Sequence, residues 1–592
     1  MIPTIIRNKY IVLLVFISLY SQQARTQLVP LQYKENKSFT YDQTMDYYRQ
    51  LDKKYKKAYL FEKGPTDVGK PLHVFIMYGG KNLQKDVLEK RQVPVLLVMN
   101  GIHPGEPDGI DASLIWAEWI LSQHDSLIRN TCICIIPVYN IDGCLNRSCC
   151  SRANQDGPEQ YGFRGNSKNL DLNRDFIKMD AANTESFVKI FHWLEPDMFI
   201  DTHVSNGADY QYTFTLLTTQ KNKLEPGMGN FLYQSILPKA EKHMREKNWL
   251  ISPYVSGFSE VPDSGLIAFY DSPRYSTGYA ALFNVPGFVL ETHMLKPFQQ
   301  RVESTLEFLK FTSLYMNQHG ADLKNQRLSS YHAMINSTYL GVNWKVDKTK
   351  KSWIEFMGYQ SGFKPSMVTG KNRLYYDTNQ PFTKKIPMYW DYVCTDSIEP
   401  PLCYIIPQGW DMIISRLESN GVYIFRFDKD IVIEVKGYKI LSYTSSSTPY
   451  EGHHMKRNVK LEEFKIRKQF YKGDAYIQTG DKFDYFLANV LEPQAVDSYF
   501  AWGFFDSMLN QKEWFSDYVW EDKAYDLLQS NPDLKTEFEN RKMQDTAFAN
   551  NAWEQLYFIY RNSDYFEETY MEYPVYRYSE RSSLTRSSFY FR

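Results

Sequence analysis

The sequence predicts an α/β domain built on a mainly parallel, mixed sheet with flanking helices, followed by two regions of other types. From residue 28 to 318, short apolar runs alternate with helical patterns, as in strands that are joined by crossover helices. Over 330–480 the pattern changes to strand-like pieces with turn residues, which predicts a β-rich accessory domain. Over 481–592 it is helical again and rich in Tyr and Phe, which predicts a helical C-terminal region.

Particular segments carry the α/β assignment of the first domain. Apolar runs of strand length alternate there with longer segments of helical periodicity. The predicted strands are Val93–Met99, Cys132–Val138, Asp197–Thr202 and Phe288–Leu290. The predicted helices include Asp111–Gln123, Thr184–Leu194 and Phe231–Lys247. A polar stretch at Gly320–Leu328 precedes the accessory domain, whose predicted strands include Ile431–Glu434 and Lys439–Tyr443.

Composition excludes several classes of protein. The 592 residues include 68 Lys and Arg against 69 Asp and Glu, so nothing electrostatic favours nucleic acid or an anionic membrane as a partner. The 16% aromatic content, with 45 Tyr and 37 Phe, is typical of packed globular domains and not of disordered tails. Seven cysteines are too few for a disulfide scaffold. Pairing of Cys394 with Cys403, or of two among Cys144, Cys149 and Cys150, is left open.

The first 27 residues have the pattern of a secretory signal peptide. The basic segment 7–9 precedes an apolar run from Tyr10 to Ile17, which is too short to cross about 30 Å of hydrocarbon. Small and polar residues follow, so we expect cleavage near Ala24 to Gln27 and export to the periplasm or the extracellular space. An uncleaved membrane anchor is the alternative interpretation. No later stretch is long and apolar enough to span a membrane, so we expect no stable span in the mature chain.

A His and a Glu three residues apart can both reach one metal ion, and this spacing occurs three times. The matches are His103/Glu106, His192/Glu195 and His243/Glu246, so the spacing alone is weak evidence. The second and third lie in charged amphipathic helices, where a solvated ion pair is the simpler interpretation. His103 instead follows a predicted strand and the turn Asn100–Gly101, with Pro104 and Pro107 close by. This context places His103 and Glu106 at the carboxyl end of a strand.

Other strand ends carry matching residues. In open parallel sheets, ligands bind outside the carboxyl ends of the strands. The run Asp197–Thr202 ends in His203, and the run Phe288–Leu290 ends in Glu291. Two His and one Glu form a ligand set for a catalytic Zn²⁺ whose fourth position is left to water. A further Glu supplies a base, so His103, His203 and their neighbours predict a zinc-dependent hydrolytic site.

These residues resemble the zinc carboxypeptidases of the carboxypeptidase A class. The resemblance rests on four features in order: His103-Pro-Gly-Glu106, the run from Asn169 to Phe176 with Asp-Leu-Asn-Arg-Asp-Phe, the distant His203, and Glu291. It covers roughly residues 70 to 315. The run Glu-Thr-His-Met-Leu-Lys that starts at Glu291 is similar to that of long exported members from Bacteroidetes-type bacteria. The later regions look like the extensions of those members.

The resemblance implies one zinc ion per chain and a role for each matching residue. His103, Glu106 and His203 match the zinc ligands, and Glu291 matches the general base and acid. Asp171 matches the carboxylate that orients the first zinc histidine. The remaining matches are Arg164, which polarises the scissile carbonyl, and Asn173 with Arg174, which grip the terminal carboxylate of a peptide. The family's active-site tyrosine has no firm counterpart among Tyr270, Tyr275 and Tyr279.

The physical interpretation agrees with the resemblance and leaves alternatives. Arg174 offers a planar bidentate fork for a carboxylate, although it could simply pair with Asp171 or Asp175. We expect a metallocarboxypeptidase that acts on peptides with a free C-terminus. The first alternative is a zinc-dependent deacylase of small N-acyl amino acids, which uses a similar core. The second is an inactive surface protein that binds peptides or glycans, against which the full set of His103, Glu106, His203 and Glu291 argues.

Overall fold

The computed structural model describes residues 28–255 and 261–579, so the predicted signal peptide at 1–27 lies outside the described residues. The chain divides into two compact units. Of the described residues, the first unit comprises 28–255, 261–399, 419–422 and 480–489, and the second comprises 400–418, 423–479 and 490–579. Export and the domain boundaries at 318, 330 and 480 stay predictions. None of the helices in the described segments combines the length and the apolar character that crossing a bilayer requires.

The first unit is built on an eight-stranded sheet in the described part of the chain. Its order is β1-β2-β4-β3-β5-β9-β6-β7, and the central strands β4, β3, β5 and β9 run parallel. These strands are β1 (Ala58–Pro65), β2 (Pro71–Met77), β3 (Val95–Met99), β4 (Cys132–Ile136), β5 (Met198–Ser205), β6 (Phe214–Thr218), β7 (Ile251–Ser252) and β9 (Gly287–His293), with β8 (Leu266–Ile267) in another sheet. The predicted mainly parallel mixed sheet is confirmed, and all four predicted strands form.

Helices flank this sheet on both faces. On one face, Trp116 and Phe308 pack with Leu96 and Ile200 of the central strands in one buried cluster. On the other, the ring of Phe187 lies 5.9 Å from that of Phe199. The helices are α1 (Tyr41–Lys54), α2 (Asp108–Gln123), α3 (Ile141–Leu145), α4 (Ala182–Leu194), α5 (Pro226–Phe231), α6 (Leu237–Glu246), α7 (Ser276–Ala281) and α8 (Phe298–Ile335). The predicted helix at 231–247 therefore starts earlier, and π-helical residues Leu232–Ile236 interrupt it.

Helix α8 fastens the start of α2 to strand β9. Its Arg301 is fully buried and donates from Nε to Asp108 Oδ2 at 3.0 Å and from Nη2 to Asp108 Oδ1 at 3.3 Å. Thr292 on β9 also donates its hydroxyl to Asp108. Since Asp108 opens the helix that follows the His103–Glu106 segment, this buried pair holds two parts of the candidate site together. The same helix runs without a break through the polar stretch 320–328, where the sequence predicts a boundary.

Replacing Arg301 with Ala should destabilise the fold markedly. The change would leave the Asp108 carboxylate buried without its guanidinium, which costs about 3–5 kcal/mol in comparable pairs. Urea unfolding of the purified protein measures the change in midpoint. Lys189→Ala is the matched control, because its ion pair with Glu185 is solvent-exposed and contributes only about 0.3–0.5 kcal/mol. Equal unfolding midpoints for the two variants would contradict the structural role of Arg301.

The accessory strands of the first unit form smaller sheets. Strands β11 (Ser352–Pro365) and β12 (Asn372–Tyr389) form a long hairpin, and β12 pairs in parallel with β8. Strands β10 (Leu340–Val346) and β13 (Tyr392–Ile398) form an antiparallel pair. The disulfide between Cys149 and Cys150 lies in this unit, and the five other cysteines, all within the described residues, carry free thiols.

The second unit contains a six-stranded antiparallel sheet in its described residues, in the order β15-β18-β14-β19-β16-β17. Strand β19 lies in the region where the sequence predicts helices, and its buried Tyr and Val side chains suit a strand between two neighbours. The strands are β14 (Cys403–Ile406), β15 (Phe425–Arg426), β16 (Ile431–Ser445), β17 (Lys456–Phe470), β18 (Ala475–Gln478) and β19 (Glu572–Tyr578). The remaining helices of the chain are α9 (Asp411–Ser419), α10 (Asp484–Leu491), α11 (Asp517–Ser530), α12 (Pro532–Gln544), α13 (Thr546–Ala549) and α14 (Ala552–Arg561).

Candidate functional site

Three buried side chains of the first unit converge closely enough to share one metal ion. His103, Glu106 and His203 each offer one ligand atom, and these atoms lie within 4.8 Å of one another. His103 Nδ1 lies 3.4 Å from Glu106 Oε1, and His203 Nδ1 lies 3.1 Å from Glu106 Oε2. His103 Nδ1 makes no hydrogen bond within the described part of the chain although it is buried, which suits a metal-binding atom. Two imidazoles and one carboxylate are the donor set of a catalytic zinc site.

The loop after β3 gives the first two of these residues their position. Gly101 has a φ of +66°, a conformation that glycine adopts without steric cost, so the chain turns sharply after the strand. The backbone N–H of Glu106 then donates to the carbonyl of His103 at 2.8 Å, which closes a tight turn. Pro107 caps the start of α2 directly afterwards. The turn directs both side chains to the same point beyond the strand end.

A carboxylate holds the second nitrogen of each histidine ring. His103 Nε2 lies 2.9 Å from Asp171 Oδ1, and His203 Nε2 lies 2.8 Å from Asp201 Oδ2. Such carboxylates fix the ring orientation and make the other nitrogen a better metal ligand. The resemblance named Asp171, whereas sequence reasoning missed Asp201. The sequence does indicate Asp201, because residues two apart on a strand face the same side and Asp201 lies two before His203.

Two further groups bind the carboxylate of Glu106. Arg152 Nη1 donates to Oε1 at 2.7 Å, and the backbone N–H of Val204 donates to Oε2 at 2.9 Å. Although burial opposes ionisation, Arg152 and His103 hold the pKa of Glu106 well below its usual range. The Arg152 stem passes over Gly105, where an added Cβ would lie 2.6 Å from Arg152 Cδ. Sequence reasoning missed Arg152, and no motif marks it, because it lies in an irregular loop.

Glu291 lies beside this group on the neighbouring strand. Strands β5 and β9 pair in parallel, and His203 is directly opposite Glu291 in their register. Burial raises the pKa of the Glu291 carboxyl to about 7, while attraction by His203 opposes that shift. A carboxyl that titrates near neutral pH can both accept and return a proton. Strand pairing therefore puts the Glu291 carboxyl next to the three residues of the candidate metal site.

The other residues that the resemblance implies, Arg164, Asn173 and Arg174, lie around the same site. Arg164 Nη2 lies 2.9 Å from Asp171 Oδ2, and Arg164 Nη1 lies 3.6 Å from Glu106 Oε1. Asp171 also accepts from the backbone N–H of Asn173 at 2.9 Å and so starts the short helical turn that presents Asn173 and Arg174. Arg174 Nη1 lies 3.8 Å from Asp171 Oδ2, a long distance for an ion pair. The other candidate partner, Asp175, instead accepts from Lys178 Nζ at 2.6 Å.

One cavity of about 130 Å³, here called the metal-site cavity, brings the predicted residues together. Of the three candidate tyrosines, Tyr275 lines this cavity and the guanidinium of Arg174 lies 4.6 Å from its ring centroid. Ser276 N donates to Asn173 Oδ1 at 3.3 Å and so orients the amide of Asn173. The predicted residues that line the cavity are His103, Glu106, Arg164, Asn173, Arg174, His203 and Glu291. Asp171 contributes through His103 and Arg164 instead of lining it.

The competing histidines take other positions. His192 is not solvated as the sequence predicts, since its Nε2 lies 3.0 Å from the hydroxyl of Tyr279 and its ring packs on Phe283. His243 Nε2 lies 2.8 Å from Glu307 Oε1, so the partner of His243 is Glu307 and not Glu246. Neither belongs to a metal-binding group in the described residues. The His-x-x-Glu spacing at His192 and His243 therefore belongs to histidines that pack against neighbouring helices or loops, and it does not mark a metal site in the described residues.

Parts of the chain are similar to known carboxypeptidases. Residues 41–203 match the family model of the zinc carboxypeptidases. Carboxypeptidase 2 of Trichophyton rubrum is 21% identical over 442 residues, which cover 69% of this chain and 73% of that protein. Carboxypeptidase 2 of Trichophyton equinum is 23% identical over 436 residues, with the same coverage of both chains. Among solved structures, carboxypeptidase A from Helicoverpa armigera has 14% identity and a TM-score of 0.36, and the match covers 51% of this chain and 78% of that chain.

Proposed function

Since this chain belongs to the zinc carboxypeptidase family and is a zinc-dependent metallocarboxypeptidase, we propose that it hydrolyses the C-terminal peptide bond of peptides with a free terminal carboxylate. The observation that supports this specificity is that Asn173 and Arg174 line the same cavity as the metal-binding group and Glu291. An amide donor and a guanidinium suit a carboxylate ligand. The family acts on peptides, and what we propose for this chain is the requirement for a free C-terminus.

The chemistry needs a proton acceptor next to the metal. When bound, zinc polarises a carbonyl and lowers the pKa of a water molecule beside it. Glu291 would accept a proton from the attacking water and deliver it to the departing amine. Its position opposite His203 in the strand register puts the Glu291 carboxyl in the metal-site cavity, where it would face such a water. Asp171 and Asp201 keep the two imidazoles turned toward the metal position.

The two arginines would divide the negative charges of the substrate between them. Arg164 lies near Glu106 and Asp171, so it is the cation closer to the scissile carbonyl, whose oxygen gains charge during attack. Arg174 rests on the ring of Tyr275, where it would pair with the terminal carboxylate. Such an arrangement would fix the distance between the terminal carboxylate and the bond that is cut. Cleavage would therefore release a single C-terminal residue.

Removing Arg174 should erase the distinction between free and amidated peptides. The wild type should hydrolyse one peptide with a free C-terminus roughly a hundredfold faster than its amidated form, because the amide gives the partly buried Arg174 guanidinium no carboxylate to bind. In Arg174→Ala that ratio should approach one while zinc is retained. Steady-state kcat/KM on the matched peptide pair, together with metal analysis, measures this. Arg129→Ala, at an exposed position, is the control with one positive charge removed elsewhere.

Each other outcome has a defined meaning. Equal rates of the wild type on both peptides would refute the requirement for a free C-terminus. Release of acyl groups from small N-acyl amino acids, with no trimming of longer peptides, would support the deacylase alternative. Binding of peptides or glycans with no hydrolysis by the zinc-loaded protein would support the inactive alternative.

A further inference from the structure

Cys149 and Cys150 form a disulfide between adjacent residues, in the loop that follows α3. Both residues are exposed, so a thiol reagent in solution can reach their sulfur atoms. A disulfide between neighbours closes a small ring that includes the peptide bond between them. It restricts the backbone at this point of the loop and joins no distant segments. Breaking the bond would therefore free the backbone only locally.

The loop is fastened on both sides of this disulfide. Ser148, directly before it, exchanges two backbone hydrogen bonds with Tyr161, at 2.9 and 3.0 Å. Arg152, two residues after it, donates its backbone N–H to the Tyr161 hydroxyl at 3.0 Å. Only residues 149–151 separate these two anchored positions, and the disulfide includes two of them. A change in the disulfide therefore has to alter the position of Arg152 relative to Ser148.

Arg152 connects this loop to the candidate metal site. Its Nη1 donates to Glu106 Oε1 at 2.7 Å, and its Nε donates to Gln155 Oε1 at 2.7 Å. Gln155 in turn donates from Nε2 to the Gly105 carbonyl at 2.8 Å, so the loop also holds the backbone next to Glu106. The Arg152 side chain is only 13% exposed and does not line the metal-site cavity. It would therefore influence a bound metal ion through Glu106 and not through the substrate.

The later part of the loop is held by contacts that do not depend on the disulfide. The backbone N–H of Asp156 donates to the carbonyl of Met294 at 2.8 Å. From α8, Arg301 donates to the carbonyl of Asp156 at 2.7 Å and to that of Gly157 at 3.0 Å. These bonds fix the loop to the end of β9 and to α8. Reduction should therefore displace Arg152 without unfolding the whole loop.

We propose that the Cys149–Cys150 disulfide is a redox site that controls metal binding: when closed, it holds Arg152 against Glu106, and when a dithiol reduces it, this contact weakens and zinc binds less tightly. A thiolate of the dithiol attacks one cysteine sulfur and breaks the S–S bond, and the second thiol of the reagent then releases that cysteine. Two electrons and two protons pass to the pair, which becomes two thiols, while the reagent becomes a disulfide.

The expected size of the effect follows from the position of Arg152. Groups that orient a metal-binding side chain typically contribute about 10–100-fold to metal affinity. The Val204 N–H would still hold the other oxygen of Glu106, so zinc binding should weaken and not vanish. Because disulfides form in oxidising compartments, an exported chain would complete its metal site only after it leaves the cytoplasm. The inference goes beyond the proposed function, since it concerns the metal and not the terminal carboxylate of a substrate.

The first test measures the zinc affinity of the full chain in both oxidation states. Mass spectrometry after blocking of free thiols verifies the Cys149–Cys150 bond in the oxidised sample. The reduced sample is treated with a dithiol, which is then removed by anaerobic gel filtration because dithiols also bind zinc. Competition with a chromophoric chelator gives the Kd of each sample. We expect the Kd for zinc to rise roughly tenfold to a hundredfold on reduction and to return on reoxidation.

Cysteine variants show whether this pair causes the response. The double variant Cys149→Ser, Cys150→Ser should have the higher Kd of the reduced wild type, with or without the dithiol. Cys394→Ser is the matched control, because it removes an exposed thiol that belongs to no disulfide within the described residues. Its Kd should still change on reduction as in the wild type. Far-UV spectra verify that both variants fold.

Arg152 variants test the route from the disulfide to the metal. Arg152→Gln should raise the Kd for zinc by about the same factor as reduction, and its Kd should no longer respond to the dithiol although the disulfide forms. Arg152→Lys keeps a cation near Glu106 and should recover part of the affinity and of the response. An arginine that only stabilised the fold would leave the response to the dithiol intact. Arg129→Gln, at an exposed position, is the matched control.

Several results would overturn this inference. They are free thiols at both cysteines of the oxidised protein, a Kd for zinc that stays equal or falls on reduction, and a response to the dithiol that persists in Arg152→Gln. None of these results bears on the requirement for a free C-terminus. Equal cleavage of free and amidated peptides would instead overturn the proposed function and leave the redox site standing.

Discussion

Glu291→Gln is expected to lower kcat/KM on a peptide with a free C-terminus by roughly 10²–10⁴-fold or more, which is the usual contribution of general acid–base catalysis. The amide keeps the size of the side chain but cannot accept a proton from water. Glu291 pairs with His203 in the strand register and does not belong to the group of three metal-binding residues, so the variant should retain zinc. A loss of turnover with full metal content is the signature that distinguishes a base from a ligand.

The measurement combines kcat/KM on one peptide with zinc analysis of the same sample. Glu89→Gln is the matched control, because that carboxylate is exposed and does not line the cavity. Its rate should equal that of the wild type. Near-normal turnover in Glu291→Gln would mean that another group takes the proton, and loss of zinc would mean that Glu291 contributes to the metal site.

The sequence could predict the centre of this site because simple rules of topology govern it. His203 and Glu291 follow apolar runs, and parallel strands bring their carboxyl ends to one edge of a sheet. Both strands in fact continue past these residues, to Ser205 and His293, yet the prediction of adjacency is unaffected. Register between β5 and β9, which a sequence does not reveal, is what sets His203 directly opposite Glu291.

Residues that act across irregular backbone were beyond prediction. Arg152 reaches Glu106 only because the loop that bears it folds back over Gly105, and nothing local in the sequence specifies that path. Asp201 differs, because it lies two residues before His203 on one strand, and that spacing predicts that both side chains share a face. The β11–β12 hairpin accepts hydrogen bonds from Gln211 at Gly358 and Phe382, which lie 147 and 171 positions later, a separation that no periodic pattern encodes. Strand β19 was missed because its aromatic residues fit a helix or a strand equally well.

Metal binding is the property on which all the proposed chemistry depends, and His203→Ala should abolish it. The change leaves two of three protein ligands, which is an incomplete site for a catalytic zinc ion. It also removes the partner of Asp201, so a buried carboxylate would lose the imidazole that it orients. We expect stoichiometric zinc in the wild type and no zinc retained by the variant after dialysis against a weak chelator.

His243→Ala is the matched control for that experiment, because His243 has the same His-x-x-Glu spacing but lies on a helix, against Glu307. It should keep zinc and activity near the wild-type level, with a small loss of stability from the broken contact. The comparison tests the central inference about context: a histidine at a strand end binds the metal, whereas one with identical spacing on a helix packs against its neighbours. If the two variants lost zinc equally, or if His203→Ala kept it, the assignment of the metal to His103, Glu106 and His203 would be wrong.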